Sequence, residues 1–520
     1  MRLRHGIGVL AIGLIVVGCG TTQQSVSPSS AATATPTPQT ATETPTQAPS
    51  PISLKVMTFN IEYGGNEVDF ARIVEAVTKA GPDVVGVQEA EGNTAKLAMA
   101  LGWPYYSVRT QIISRLPIID PAGADGAYVF IEASPGRIVA MGNVHLPSDP
   151  YGPYYVRDGK TAEQVLELER TTRLAALQPQ LVTLPALAMS GVPVFLTGDF
   201  NCPSHLDWTP AAVGLRSHVK YALDWPVSQA LAAAGLKDSY RAIHPDPITD
   251  PGLTWWAGRP LVDGYPDPSE PQDRIDIVYS GGPATATATD IVGEPGRPDV
   301  AITVKPWGTD HRGVISTFSV SPVLPPPFVA AGSRLIAPGD SLTVTYGGIE
   351  PGTSGIAVVK AGRDPATASI ATAATVPDPG PVATVEISSA GWSPGAYEVV
   401  GIEPTTRAAI RSSFWVGEPA RGPTLTTVKT RYAKGEPILL SWANAPGNRW
   451  DWIGVYAAGD DPLSDSYLEY IYTRTTIAGS GSIAAAAEGD WPLPPGKYEA
   501  HYLVDDGYLS LAKVGFTVTK

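Results

Sequence analysis

The sequence predicts an α/β domain at residues 52–320, followed by two all-β modules at residues 328–418 and 424–520. Within 52–320, short apolar strands alternate with stretches of helical periodicity, which is the pattern of an α/β domain. After the proline-rich segment "SPVLPPPF" (321–328), the composition changes to Gly, Thr, Val and Ala with turn clusters. That composition indicates short strands.

The chain begins with the cationic segment "MRLRH" and an apolar run that is too short to span a bilayer. The run ends in "VVGC", which resembles a bacterial lipoprotein lipobox, so we expect a signal peptide at 1–18 and lipidation of Cys19. A plain secretory signal and an uncleaved anchor are the alternatives. Residues 19–51 are rich in Ser, Thr, Pro and Ala, which predicts a disordered tether. The protein is therefore expected to be exported and anchored by lipid to the cell envelope.

Cysteine usage and charge narrow the function classes. The chain has two cysteines, so Cys202 has no partner once Cys19 is lipidated, and we predict a packed thiol there. The net charge of −14 argues against tight, charge-driven binding of duplex nucleic acid. It does not exclude nucleic acid, because divalent cations screen an acidic site.

Two helices are predicted within 52–320. "FARIVEAVTKAGPD" has apolar residues at helical spacing, and Gly81 with Pro82 gives a stop signal. The second helix is expected to begin near Thr161 and to run through "AEQVLELERTTRLAALQ".

The second half contains an internal repeat. "APGDSLTVTY…GIAVVKAGRDP…GWSPGAYEVVGI" is matched by "AKGEPILLSW…WIGVYAAGDDP…DWPLPPGKYEAHYL" at a period of about 100 residues. Strands at this period predict two β-sandwich modules of immunoglobulin-like type. Trp450 and Trp452 of "NRWDWIGVY" suit either core packing or contact with carbohydrate.

Polar side chains stand at six predicted strand ends in 52–320. A buried strand end is a costly place for a charged group, so a shared site explains the set better than unrelated turns. The residues are Asn60, Glu89, His145, Asp199 with Asn201, Asp276, and Asp310 with His311.

The donor types in this set point to a metal-assisted reaction. Oxygen ligands without cysteine favour Mg²⁺ or Mn²⁺, with Ca²⁺ as a further option, over zinc. The two histidines can protonate or stabilise a leaving oxygen, and Asp199 can position an attacking water. The reaction class that fits is hydrolysis of a phosphate ester.

The motifs "TFNI", "QE", "SRLPI", "NVHLPSD", "TGDFN", "TW", "DRIDIVY" and "TDHRGV" occur in this order. By them, residues 52–320 resemble the endonuclease/exonuclease/phosphatase superfamily, whose fold is that of deoxyribonuclease I. The resemblance implies a four-layer α/β sandwich, with two central sheets flanked by helices.

The resemblance also implies roles for the matching residues. Glu89 is expected to be the principal metal ligand, with Asn60 and Asp310 close to the metal. Asp199 and Asn201 are expected to handle the nucleophilic water and the phosphate, side by side on an extended segment. His311, oriented by Asp276, would contact the scissile phosphate, and His145 would act opposite it as an acid or phosphate ligand.

After His145 the chain departs from the simple family pattern. "YGPYYVRDGKTAEQ" inserts an aromatic, charged loop, whose Tyr154, Tyr155 and Arg157 are candidate substrate-binding residues, together with Lys160. Trp255, with Trp256, is expected to line the mouth of the site.

These expectations describe a surface-tethered, Mg²⁺-dependent phosphodiesterase of nuclease or of phospholipase-C and sphingomyelinase type. A small-molecule phosphatase and a non-catalytic adhesive lipoprotein are the alternatives, the second disfavoured because every expected polar position is filled. No protein partner is predicted. Since 328–520 holds none of the predicted catalytic residues, residues 52–320 are expected to fold and to turn over small substrates alone.

Overall fold

The structure is a computed structural model that describes residues 50–258, 270–349, 355–372, 381–403, 405–406, 408–484 and 491–520. The predicted signal peptide, Cys19 and nearly all of the predicted tether lie outside these residues. The described residues form one compact unit.

The described part of 52–320 is an α/β region, as predicted. Its strands are β1 Ile52–Asn60, β2 Val84–Gln88, β3 Tyr105–Ser107, β4 Ile112–Ser114, β5 Ile118–Ile119, β6 Val129–Ser134, β7 Arg137–His145, β8 Val194–Asp199, β9 Lys237–Asp238, β10 Asp276–Gly281, β11 Ala284–Gly293, β12 Val300–Thr303 and β13 Gly313–Val320. Its α-helices are α1 Phe70–Ala80, α2 Thr94–Ala100, α3 Gly152–Arg157, α4 Ala162–Thr171, α5 Arg173–Ala176, α6 Gln178–Met189, α7 Pro226–Ala233 and α8 Ser239–Ile243.

The first predicted helix forms with its end at the predicted stop signal. The second begins where predicted but does not run unbroken through "AEQVLELERTTRLAALQ", because non-helical backbone at Thr172 divides it into α4 and α5. Asp69 caps α1 by accepting a hydrogen bond from the Ala71 amide, and Gly81 ends the helix in the left-handed conformation, with φ of 64°. Thr161 caps α4 in a capping box, in which its hydroxyl and the Gln164 side chain each accept a bond from the other residue's amide. The aromatic insertion after His145 was predicted as a loop but forms helix α3, since Pro153 lies in its first turn.

These strands form two sheets among the described residues. Sheet 1 has the order β12-β11-β13-β1-β2-β4-β3, and sheet 2 has the order β5-β6-β7-β8-β10-β9. Three apolar clusters pack them. One lies between sheet 1 and helices α1 and α2, one lies between the two sheets, and one lies between sheet 2 and helices that include α3, α4, α6 and α7.

The space between the sheets changes from apolar to polar along the strands. On the inner face of β7, Val139 and Met141 belong to the apolar cluster, whereas Asn143 and then His145 follow at the period of two. On β8, Phe195 is likewise followed by Thr197 and Asp199. The polar residues therefore lie at one end of the space between the two sheets, where β7 and β8 end, and the apolar residues fill the rest of that space.

The second half is β-rich, as predicted, and its two modules share one topology. Module 1 contains β14 Phe328–Ala331, β15 Leu335–Ile336, β16 Ser341–Gly347, β17 Ile356–Lys360, helix α9 Pro365–Ala368, β18 Ala371–Thr372, β19 Ala383–Ser388, β20 Gly395–Ile402 and β21 Ala409–Val416. Module 2 contains β22 Thr424–Thr427, β23 Arg431–Ala433, β24 Ile438–Ala443, β25 Trp452–Ala457, β26 Glu469–Tyr472, β27 Gly479–Ile483, β28 Gly496–Leu503 and β29 Ser510–Thr519. The sheet orders are β14-β16-β19 with β15-β21-β20-β17-β18, and β22-β24-β27 with β23-β29-β28-β25-β26.

Module 1 packs directly against the α/β region. Phe328 and Ala330 of β14 are buried in the apolar cluster that covers sheet 2, and the Phe328 ring packs edge-on against Phe130 at 5.9 Å. The Ala122 amide also donates to the Val329 carbonyl at 2.9 Å. The α/β region and module 1 therefore share a core, which differs from the expectation of an independent 52–320 domain.

The close approach of the two sheets gives a stability prediction. A Cβ placed on Gly86 of β2 would overlap Thr197 Oγ1 and lie 2.5 Å from Asn143 Oδ1. Gly86→Ala should therefore lower the free energy of unfolding by about 1–3 kcal/mol through overpacking, measured by chemical denaturation. Gly515→Ala is the control, because its Cβ would meet only the Tyr498 carbonyl oxygen, at 3.8 Å. Equal stability of the two variants would contradict the tight contact.

Candidate active site

The predicted strand ends meet at one edge of the two sheets. In sheet 2, strand register places both His145 and Asp276 opposite Asp199. In sheet 1, Asn60 ends β1 and pairs in register with Gln88, so that Glu89 follows immediately. The residues predicted from six separate segments therefore surround one point.

Asn60 joins carboxylates that come from the two sheets. Its buried Nδ2 donates to Glu89 Oε1 at 2.9 Å and to Asp199 Oδ2 at 3.0 Å, while its Oδ1 accepts from the Glu62 amide at 3.0 Å. Glu89 has φ of 52° and Glu62 has φ of 51°, a left-handed conformation that is uncommon for non-glycine residues. Such backbone strain concentrates at functional sites.

His311 is buried and is oriented by Asp276, as predicted. Its Nδ1 lies 2.9 Å from Asp276 Oδ2, and its Nε2 lies 3.6 Å from Asp199 Oδ2. Burial alone would lower the pKa of His311, but the charges of Asp276 and Asp199 outweigh burial and raise it well above the usual value. A protonated His311 can donate a hydrogen bond through Nε2 to an anionic substrate.

His145 faces the same point from the opposite side. Its Nε2 lies 3.7 Å from Asp199 Oδ2 and 3.8 Å from Glu89 Oε1. Its Nδ1 lies 3.0 Å from Asp506 Oδ2. Burial opposes the charged form, but the hydrogen bond and charge of Asp506 outweigh it and raise the pKa of His145 to about 9.

Asp506, which belongs to the loop between β28 and β29 of module 2, is a site residue that the sequence did not predict. The segment "VDDGYL" has the composition of a turn, and no local signal distinguishes a turn that contacts a distant histidine. The prediction that 328–520 takes no part in the site therefore needs correction.

Asp199 lies at the centre of the site, and burial raises its pKa, although His311 opposes that shift. Asn201 does not lie beside Asp199 on an extended segment, because its backbone is left-handed, with φ of 47°. Its amide nitrogen donates to Asp199 Oδ1 at 2.9 Å, and its Nδ2 donates to the Leu146 carbonyl at 3.0 Å. In this structure Asn201 holds Asp199 in place.

The donor set fits a divalent cation. Ligand atoms of Glu89, Asp199 and His311 lie within 4.8 Å of one another. Glu89 was predicted as the principal ligand with Asn60 and Asp310 close to the metal, and Asn60 adjoins this group through its bonds to Glu89 and Asp199. Asp310 Oδ1 lies 3.9 Å from His311 Nε2, and its Oδ2 accepts from the Trp255 indole at 3.3 Å. Carboxylate oxygens that converge in this way suit a hard cation.

The predicted substrate-binding residues near α3 pack against other protein groups. The Tyr154 hydroxyl donates to Glu270, and the Arg157 guanidinium lies 4.6 Å from the Tyr154 ring centre. Tyr155 packs against the apolar cluster below sheet 2. Trp255 is the member of this group nearest the site, with its ring centre 6.4 Å from that of His311.

A cavity of about 1390 Å³ opens beside Glu89 and His145. Its walls come from the α/β region and from both modules. Module 2 contributes a set of aromatic side chains, which are Trp450, Trp452, Tyr467, Tyr470, Tyr472 and Tyr508. Trp450 and Trp452 are largely buried, so core packing accounts for most of their surface.

Cys202 is a buried free thiol, and burial raises its pKa well above the usual value, as expected for a packed cysteine.

Cys19, the predicted site of lipidation, lies outside the described residues. In the described part of the chain, every helix is too short or too polar to cross a membrane.

Comparison with solved structures finds similar proteins at low sequence identity. One is the endonuclease/exonuclease/phosphatase from Beutenbergia cavernae DSM 12333, which is 15% identical to this chain, with a TM-score of 0.32. The alignment covers 89% of this chain and 99% of the Beutenbergia chain. Another is TDP2 from D. rerio, complexed with single strand DNA product. This TDP2 is 14% identical to the present chain, with a TM-score of 0.31, and the alignment covers 51% of this chain and 98% of the TDP2 chain.

Sequence comparison gives the family. The profile of the Endonuclease/Exonuclease/phosphatase family matches residues 57–311. The uncharacterized protein F14F9.5 of Caenorhabditis elegans is 31% identical over an alignment of 254 residues. The match covers 44% of this chain and 79% of the worm protein. The chain belongs to the endonuclease/exonuclease/phosphatase family of phosphoric ester hydrolases.

Proposed function

We propose that the protein is a divalent-metal-dependent phosphodiesterase, built on a four-layer sandwich and carrying two immunoglobulin-like modules. One observation carries this proposal. Glu89, Asp199 and His311 bring their ligand atoms within 4.8 Å of one another at the edge of the two sheets. His145 lies beside this group, and His145 and His311 are each paired with a carboxylate.

The metal would be held by the Glu89 carboxylate with Asp199 beside it, because His311 Nε2, as a hydrogen-bond donor, cannot bind a metal ion. Mg²⁺ or Mn²⁺ suits this small set of oxygen ligands better than Ca²⁺, which binds about six to eight oxygens. When bound, it would neutralise charge on the phosphoryl oxygens. Asp199 is placed to orient an attacking water and to accept its proton. His311 and His145 are placed to donate hydrogen bonds to the phosphoryl and leaving oxygens through Nε2.

A cavity of about 1390 Å³ adjoins the site at Glu89 and His145, and it gives a second group on the phosphate room to bind. This room supports a diester substrate. The aromatic side chains of module 2 can pack against a base or an apolar group that is attached to the phosphate. Nucleic acid and phospholipid headgroups both present such a diester.

The metal is tested first. The wild-type protein should bind Mn²⁺, and Glu89→Gln should weaken binding by at least about 10-fold, because it removes a charged oxygen ligand. Calorimetric titration of the metal-free protein gives the binding constant.

Activity on bis-p-nitrophenyl phosphate should vanish in EDTA and return with Mg²⁺ or Mn²⁺. Glu499→Gln is the control, since Glu499 contacts His501 and Lys513 away from the cavity. Full activity of Glu89→Gln in EDTA would refute metal dependence.

The histidines are tested by turnover. His145→Ala and His311→Ala should each lower kcat by roughly 10²-fold or more, the usual scale for a positioned acid or base. The assay panel is plasmid DNA, RNA, sphingomyelin and bis-p-nitrophenyl phosphate. His244→Ala is the control, because His244 packs against Tyr240 and bonds the Thr289 carbonyl. Wild-type turnover by the His145 variant on all four substrates would exclude its catalytic role.

We also propose that the protein is exported and anchored by lipid on Cys19, on the strength of the signal sequence and the "VVGC" segment. Cys19→Ser should release soluble protein into the medium or periplasm. The variant lacks the lipid chain on Cys19 that would hold the exported protein in the membrane. Cell fractionation and immunoblotting measure the distribution. Retention of the variant in salt-washed membranes would contradict the lipid anchor.

A further inference from the structure

The loop at residues 504–508, between β28 and β29, extends from module 2 into the candidate active site. Asp505 and Asp506 are both left-handed, with φ of 55° and 64°. Inside module 2 the Gly507 amide donates to the Val504 carbonyl, and the Asp506 amide donates to the Trp450 carbonyl, both at 2.9 Å. The Trp452 indole donates to the Gly507 carbonyl at 3.0 Å. Module 2 therefore fixes the shape of the 504–508 loop.

Asp505 attaches this loop to the α/β region. Its buried carboxylate accepts from the Gly92 amide at 3.1 Å and from Gln111 Nε2 at 2.9 Å. Its own amide donates to Asp451 Oδ1 at 3.0 Å. The same residue thus bonds to module 2 through its backbone and to the α/β region through its side chain.

Arg449 supplies a second attachment. Its amide donates to the Arg109 carbonyl at 3.1 Å, and its guanidinium donates to the Asn143 carbonyl at 2.8 Å and the Gly126 carbonyl at 3.2 Å. Asn143 lies two residues before His145 on β7. Both attachments therefore hold module 2 next to the strand end that carries His145.

We propose that Asp506 is the positioning residue for His145, so that module 2 completes the active site of the α/β region. Asp506 Oδ2 accepts from His145 Nδ1 at 3.0 Å, and Tyr472 donates to the other carboxylate oxygen at 3.4 Å. With Nδ1 held in this way, Nε2 is directed toward Glu89 and Asp199. Asp276 holds His311 in the same manner from within sheet 2. The proposal rests on the proposed hydrolase function.

Full-chain variants test this coupling. Asp506→Ala should lower kcat by about 10- to 100-fold, the usual effect of removing a partner that orients a site histidine. The KM should stay within about twofold, because Asp506 acts through His145. Asp506→Asn, which keeps an acceptor oxygen, should lose less. Each variant is checked for an unchanged unfolding midpoint, and Glu499→Gln, on the same module, should keep wild-type kcat.

The decisive measurement is the double variant. If Asp506 acts only through His145, His145→Ala with Asp506→Ala should be no slower than His145→Ala alone. An additional loss in the double variant, or wild-type kcat in Asp506→Ala beside a slow His145→Ala, overturns the positioning role and leaves the proposed hydrolase intact. Absence of turnover by the wild-type protein with Mg²⁺ or Mn²⁺ on all four substrates of the panel overturns the hydrolase itself.

Discussion

The buried amide of Asn143 fixes the distance between the two sheets, and the site depends on that distance. Its Nδ2 donates to the Val87 carbonyl at 2.7 Å, and its Oδ1 accepts from Gln88 Nε2 at 2.7 Å and from Thr197 Oγ1 at 3.0 Å. One side chain of β7 thus bonds to β2 and to β8. Because Gly86 has no side chain, the sheets approach closely at this level. The strand ends just above it, which carry the charged groups, are held at a set separation.

That constraint explains how so many carboxylates share a buried site. A buried charge is stable only when it is paired and hydrogen-bonded. Asn60 donates to Glu89 and Asp199, the Asn201 amide donates to Asp199, and His311 bonds Asp276. The bonds from Asn60 to Asp199 and between His311 and Asp276 join residues of the two sheets, so the spacing of the sheets decides whether these two form. The remaining negative charge is what a divalent cation would neutralise.

The sequence predicted the α/β region, the repeated β-modules and the strand-end site because their signals are local. A cap at Asp69, a stop at Gly81, and a polar residue where an apolar strand ends are all encoded within a few neighbouring residues. The participation of Asp506 is not local, since 361 residues separate it from His145. Its segment looks like an ordinary turn, and its role arises from how module 2 docks. Asn201 shows the same limit on a smaller scale, because its left-handed backbone reversed the expected direction of its side chain.

The two histidines therefore depend on different parts of the chain. Asp276 orients His311 from within sheet 2, so that pair persists whatever module 2 does. The partner of His145 comes from module 2, which contacts the α/β region through Asp505 and Arg449. Separation of module 2 would leave the candidate metal ligands and His311 in place but would free the ring of His145. A β-module that looks in sequence like an accessory domain thus contributes a side chain to the candidate site, because the loop between β28 and β29 places Asp506 against His145.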